Sequence, residues 1–178
     1  MTATPEYVGF IAMSLDGFIA DEAGGIGWLD PFNAALAEAG SDGGYGAFLE
    51  GVDALLMGRL SYEQVLGWGW PYGDRPGYVL TGRHDVTGAH IKAAGCIGTL
   101  RDAIAAAGHR RVWVMGGGLA QRAALDAGLF NSLRVFVMPT ILGGGRPLFA
   151  GGKQHNLHLT GCQTLAGGIL QIDYDIKD

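Results

Sequence analysis

The feature that most constrains this chain is a repeated pairing of short apolar runs with helix-like stretches, each pair joined through a glycine-bearing turn. "VDALLMG" (52–58) leads into "RLSYEQVLGW", and "RVWVMG" (111–116) leads into "GLAQRAALDAG". Apolar runs rich in β-branched and aromatic residues and bounded by glycine read as buried strands. "YVGFIAMSL" (7–15), "GYVLTG" (77–82) and "SLRVFVMPTIL" (132–142) are further examples. "PFNAALAEAG" opens with Pro31, which suits a first helical turn, and "TLRDAIAAAGH" is Ala-rich behind Thr99 as a cap. "DGGYGAFLEG" (42–51) is a shorter helical segment weakened by its glycines, and "DEAGGIGWLD" (21–30) reads as a loop. The tail, "HNLHLTGCQTLAGGILQIDYDI", reads as two strands hinged at Gly167-Gly168. Strands that alternate with helices and then pair among themselves predict an α/β fold, with a mostly parallel sheet and an antiparallel C-terminal edge.

In such sheets ligands sit beyond the carboxyl ends of the strands. The informative residues are therefore the turns "DG" (16–17), "GRLS" (58–61), "TGR" (81–83), "GGG" (116–118) and "LGGGRP" (142–147). Gly116, Gly117 and Gly118 let a backbone come close to a ligand, and the free N–H groups of the following helix favour an anion. A tight turn needing positive φ is the competing explanation, and one glycine would satisfy it. The spacing is not the usual dinucleotide fingerprint, because Gln121 stands where G-x-G-x-x-G needs a small residue. Gly58, Arg59 and Ser61 form a second such turn, and Leu80, Thr81 and Arg83 a third. An arginine at a helix N-terminus opposes the helix dipole unless an anion offsets it. Two arginines at neighbouring strand ends could grip the 2′-phosphate that separates NADP from NAD. Asp16, before a glycine, reads as a turn residue rather than a reactive acid.

The rest of the composition narrows the function classes. The 178 residues fit a single domain, 1–178, with 12 Lys and Arg against 17 Asp and Glu, a formal charge of −5. A mildly acidic chain without a basic block is a poor nucleic-acid binder. No apolar run reaches the roughly 20 residues that span a bilayer. The N-terminal residues lack a basic region and a long apolar core, so no secretory signal is expected and the expected location is cytoplasmic. Cys96 and Cys162 have no metal-ligand spacing and read as buried thiols. His155 and His158 form H-x-x-H, but residues three apart on a strand face opposite ways, which argues against a shared metal.

Taken in order, "FIAMSLDGFIA", "GWLD", "VDALLMGRLSYE", "VWVMGGGLAQRAAL" and "LRVFVMPTILGGGRPLF" resemble the dihydrofolate reductase-like superfamily, and within it the reductase domain of riboflavin biosynthesis. The resemblance spans residues 7 to 149. It implies a three-layer dihydrofolate reductase-like fold and NADPH as hydride donor. By matching motifs, the backbone of Ala12 and Ile19 would hold the nicotinamide carboxamide. Gly58, Arg59, Ser61, Leu80, Thr81 and Arg83 would contact the adenosine phosphate side. Met115, Gly116, Gly117 and Gly118, with Leu119 and Ala120, would cradle the pyrophosphate.

The substrate side departs from both branches. The acid that dihydrofolate reductases place on the first long helix falls on Asp42 by one alignment, and Tyr45 stands there by another. Trp28 is followed by Leu29 and Asp30 rather than a small polar pair. No zinc deaminase motif is present, so a bifunctional riboflavin enzyme is excluded. The reading is an NADPH-dependent reductase acting on a small heterocycle, of the 5-amino-6-(5-phosphoribosylamino)uracil reductase type. The alternatives are dihydrofolate reductase activity and a non-catalytic NADP(H)-binding module. Candidate proton donors are Asp42, Tyr45, Asp16 and Asp30, or a held water. Trp28, Phe48 and Trp70, with Trp68 nearby, are candidates to stack on a flat substrate. The apolar "LRVFVMPTIL" strand and the tail hairpin suggest a homodimer contact.

Overall fold

The computed structural model describes residues 4–177. In chain order, β1 (Glu6–Ser14) and β2 (Phe18–Ala20) precede α1 (Asp30–Glu38) and α2 (Tyr45–Glu50). Then come β3 (Ala54–Gly58), α3 (Arg59–Gly67), β4 (Gly77–Leu80), β5 (Ile91–Ala94) and α4 (Ile97–Ala106). The chain continues through β6 (Arg111–Val114), α5 (Gly118–Asp126), β7 (Phe130–Met138), β8 (Arg146–Pro147), β9 (Leu157–Thr164) and β10 (Leu170–Ile176). Eight strands form one sheet in the order β5-β4-β3-β6-β1-β7-β10-β9, and β2 pairs separately with β8. Pairings from β5 to β7 are parallel, and β10 is antiparallel to both β7 and β9. The expected parallel sheet with an antiparallel C-terminal edge is present.

The period-two alternation of the strands explains the three layers. Ala54 and Leu56 of β3 and Val112 and Val114 of β6 pack with Leu100 and Ile104 of α4 and Ala124 and Leu125 of α5. Leu55 and Met57, with Trp113, turn the other way and pack with Tyr62 and Val65 of α3. On that same side α1 sets Leu36 against Phe136, Met138 and Ile169. Leu55, Leu56 and Met57 are fully buried, each worth roughly 1.5–3 kcal/mol of burial. A central strand covered on both faces is why this run reads as continuously apolar.

Several boundaries differ from the sequence expectation for local reasons. The segment 42–51 becomes helical only at Tyr45, because Gly43 and Gly44 sit at φ 67° and 80°. The Asp42 carboxylate takes up that turn, accepting N–H bonds from Gly44 at 2.8 Å and Gly46 at 2.7 Å. β7 begins earlier than expected, at Phe130, and ends at Met138, before Pro139, which has no N–H to continue the ladder. Short β2 and β5 were not anticipated. The two cysteines, expected to be buried, are both exposed and free. β7 cannot offer an edge to a second copy, since β1 and β10 flank it; the free edge on that side is β9.

Candidate functional site

The carboxyl ends of β3, β6, β1 and β7 lie side by side, and the sheet is split there. β1 pairs with β6 only from Glu6 to Gly9, whereas its pairing with β7 continues to Ser14. Beyond Val114, β6 turns away and β1 runs on with that edge unpaired by a strand. Ala12 lies on this free stretch, and Ile19 on β2, which returns alongside β1. Exposed apolar side chains follow the ends of these four neighbouring strands: Leu15 after β1, Leu60 after β3, Leu119 after β6 and Ile141 after β7. Leu119, 77% exposed, is the most open of them. Apolar side chains left at the same end of four adjoining strands suit contact with a flat ring.

Two helix N-termini meet at this rim. α3 follows β3 directly from Gly58, and α5 follows β6 through Gly116–Gly118. In α5 the N–H groups of Ala120 and Gln121 return to the Gly117 carbonyl, at 2.9 and 3.1 Å. The N–H groups of Gly118 and Leu119 precede that ladder, where unpaired donors and the helix dipole favour an anion. Ala120 has its own N–H committed and packs toward Gly58, where a Cβ would meet Ala120 Cβ at 3.6 Å. The Met115 side chain is buried and accepts the Tyr72 hydroxyl at 3.6 Å, so its backbone alone faces the turn.

The triple glycine divides into separate requirements. Gly117 sits at φ 85°, a left-handed conformation. At Gly118 a Cβ would stand 2.4 Å from the Pro147 carbonyl oxygen, so that glycine lets two backbones touch. Structure alone therefore explains two of the three glycines. Gly116 remains: a Cβ there would meet the Ser61 Oγ at an ordinary 3.5 Å. Open backbone at Gly116, beside a hydroxyl and two helix N-termini, fits a phosphate.

Toward the outer strands, Thr81, Gly82 and Arg83 line a cleft of about 440 Å³ with Val86, Gly88 and Gly95. Arg59 does not extend freely into solvent. One guanidinium nitrogen contacts both Glu63 carboxylate oxygens at 2.7 Å. Arg83 donates to both oxygens of Asp85, at 2.9 and 2.5 Å. The Arg83 fork pulls the Asp85 carboxyl down to about 2, with a smaller contribution from Arg59. The Asp85 contact in turn raises the Arg83 pKa, and Glu63 adds a smaller push in the same direction. The four residues are one charge cluster. Neither carboxylate was singled out by the sequence reading, although Glu63 lies one helical turn after Arg59, where such pairs form.

The candidate proton donors have contrasting surroundings. Asp16 accepts from the Ser14 hydroxyl at 2.6 Å and from the Leu142 and Gly143 N–H groups at 3.1 and 2.8 Å. The Ser14 bond, and then those backbone bonds, hold its carboxyl below the usual range. Asp42 is lowered by the Gly46 and Gly44 N–H groups. Both act as backbone clamps. Asp30 is exposed in the first turn of α1. Tyr45 packs on Phe10 and Trp113, and burial raises its hydroxyl pKa.

Of the expected stacking residues, the structure brings Trp28 alone toward this end of the sheet. Trp28 packs against the cluster of Leu36, Phe136, Met138 and Ile169, and its buried indole N–H has no protein partner. Phe48 is part of the packed interior, stacked on Phe10 at 4.4 Å and edge-on to Trp113. Trp70 lies at the opposite end of the sheet, stacked on His90 and covering Gly77 at the start of β4. It is a packing residue, because α3 has carried the chain away from the rim before reaching it. Trp68 is exposed just past the end of α3, on that far side.

This strand order and split sheet define the dihydrofolate reductase-like class, and comparison with known proteins narrows it. The RibD C-terminal domain family matches residues 98–171. The Bacillus subtilis (strain 168) protein YwjB is 34% identical over 148 residues, covering 79% of this chain and 80% of that protein. A putative riboflavin biosynthesis protein from Shewanella sp. PV-4 superposes with a TM-score of 0.84 at 28% identity, over 97% of this chain and 99% of that one. Dihydrofolate reductase from Enterococcus faecalis, solved with NADP(H), gives a TM-score of 0.67 at 17% identity over 98% of each chain, a likeness of fold. The chain belongs to the RibD C-terminal domain family and has a dihydrofolate reductase-like fold. Among the described residues no helix is long and apolar enough to cross a membrane.

Proposed function

We propose that this chain is an NADPH-dependent reductase of a pyrimidine- or pterin-like heterocycle, of the 5-amino-6-(5-phosphoribosylamino)uracil reductase type. One observation carries the reading: the N-termini of α3 and α5 converge at adjoining strand ends, with Ser61 between them. Gly116, Gly118 and Leu119 would hold the pyrophosphate through their backbone N–H groups, and Arg59, Ser61, Thr81 and Arg83 the adenosine phosphate side. The backbone at Ala12 and Ile19 would orient the nicotinamide beside the free edge of β1. Bound there, NADPH supplies a hydride to an electrophilic carbon, and the neighbouring atom, which receives the π electrons, needs a proton. Asp16 and Asp42 are held ionised and are poor donors at neutral pH. Asp30, Tyr45 or a held water must serve. Catalysis then comes mostly from positioning.

The same clamped carboxylates support a second reading, a module that binds NADP(H) without turnover. Turnover separates the two. The protein is mixed with NADPH and either the ribosylamino-pyrimidine or dihydrofolate, and the near-ultraviolet absorbance of NADPH is followed. Oxidation with the pyrimidine supports the proposal, oxidation with dihydrofolate alone moves the substrate to the folate branch, and tight binding without oxidation favours the module. A homodimer belongs to the same reading, formed through the edge strand β9, where Leu157 and Leu159 are exposed. Sedimentation of wild type against Leu159→Glu tests it.

A further inference from the structure

We infer that Glu63 and Asp85 set how strongly this cleft prefers a phosphorylated dinucleotide, by neutralising Arg59 and Arg83 and by offering carboxylate oxygens to an unphosphorylated ribose. The inference rests on the NADP(H) reading above. Its starting point is that both arginines at the adenosine end are already engaged. Arg59 contacts both oxygens of Glu63 at 2.7 Å, and Arg83 makes a two-pronged contact with Asp85.

The Arg83–Asp85 pair is exposed, with side chains 57% and 62% accessible, and the Arg59–Glu63 pair is partly exposed, at 29% and 49%. Exposed ion pairs contribute little to stability, so a ligand phosphate can displace either carboxylate from its arginine. Displacement does not remove the charge. Glu63 is one helical turn from Arg59, and Asp85 is two residues from Arg83. Each therefore stays well within the roughly 10 Å over which charges act in dilute salt. A phosphate monoester bringing about −1.5 to −2 would meet two cations and two anions rather than two cations. The cluster couples across its pairs, since Arg59 acts on Asp85 and Glu63 on Arg83.

A ribose without the phosphate meets a different surface. Its 2′-hydroxyl can donate to a carboxylate, the arrangement by which acidic residues hold the ribose of unphosphorylated dinucleotides. Glu63 and Asp85 thus weaken the binding of one cofactor and assist the other. The arginines alone would give a strongly selective phosphate site, and the quartet gives a permissive one.

The test measures dissociation constants for NADPH and NADH with wild type, Glu63→Gln, Asp85→Asn and the double variant, at low and moderate salt. Both substitutions keep size and sit on exposed side chains. We expect wild type to bind the two cofactors within about 10-fold of each other. The double variant should bind NADPH on the order of 10- to 100-fold more tightly, with NADH unchanged or weaker and a steeper salt dependence for NADPH alone. The single variants should fall between. A wild type that prefers NADPH by much more than ~100-fold, or a preference that does not move in any variant, overturns the inference and leaves the cofactor reading standing. Failure of wild type to bind either dinucleotide overturns both.

Discussion

The Ser61 side-chain oxygen lies against Gly117, where a Cβ would stand only 3.1 Å away. The contact joins two turns that are 56 residues apart in sequence but adjacent in space, because β3 and β6 pair in parallel. It brings the first turn of α3 against the glycine turn that opens α5, which sets the N–H groups of two helix ends on one surface, the arrangement the proposed pyrophosphate site needs.

The three glycines should separate in mutagenesis. Gly118→Ala puts a Cβ 2.4 Å from backbone oxygen and should cost roughly 1–3 kcal/mol of stability. Gly117→Ala, at φ 85°, should cost about 1–2 kcal/mol. Gly116→Ala has room and should melt like wild type, yet lose NADPH affinity by about 10-fold as the methyl obstructs the phosphate. Calorimetry and cofactor titration on the same samples check all three. Equal stability losses with unchanged affinity would make the glycines a turn and nothing more.

Asp16 should behave as a pH-dependent latch between the end of β1 and the 142–143 backbone. Its folded-state pKa is depressed, so the stability it contributes is present above the unfolded value, near pH 4, and is lost as the pH falls through the folded value. Asp16→Asn should lower the melting temperature by a few °C at pH 7. That gap should close as the pH falls below the unfolded value and through the folded one, where wild type loses the same charge. Amide exchange at Leu142 and Gly143 should quicken in the variant. A gap that persists unchanged in acid would contradict the latch.

Cys96 should be the reactive thiol. It is exposed at the N-terminus of α4, and the Thr99 and Gly98 N–H groups draw its pKa below the ordinary thiol value. Alkylation at pH 7, followed by mass spectrometry, should modify Cys96 before Cys162. NADPH should slow it, because the preceding residue, Gly95, lines the cleft proposed to take the adenosine side. Equal labelling of both cysteines, or no protection, would argue against that placement of the cofactor.

Much of this architecture was legible in the sequence because buried parallel strands have no choice of composition. "ALLM" and "VWVM" face packed helices on both sides, so they had to be apolar throughout. β5 escaped notice for the opposite reason. It is an edge strand of four residues, with Lys92 and Ala93 exposed and no apolar signature. The rim was readable from Arg59, Ser61, Thr81, Arg83 and the glycines, since each follows a strand directly. The substrate side was not readable. Asp42 looks in sequence like a catalytic acid, and only three-dimensional placement shows its oxygens taken by backbone N–H groups, whereas Asp16, before a glycine, already reads as a turn residue and binds backbone N–H groups as one. Trp70 misled because a tryptophan among glycines resembles a cleft wall, whereas nine residues of α3 carry the chain to the other end of the sheet first.

In the proposed complex, the rim of parallel strand ends holds NADPH with Arg59 and Arg83 on its phosphate side. Titration of NADPH into wild type, Arg59→Ala and Arg83→Ala tests it most directly, read by cofactor fluorescence. Wild type should bind, and each variant should lose roughly 10- to 100-fold in affinity, on the order of 1–3 kcal/mol. Unchanged NADPH affinity in both variants would contradict the account.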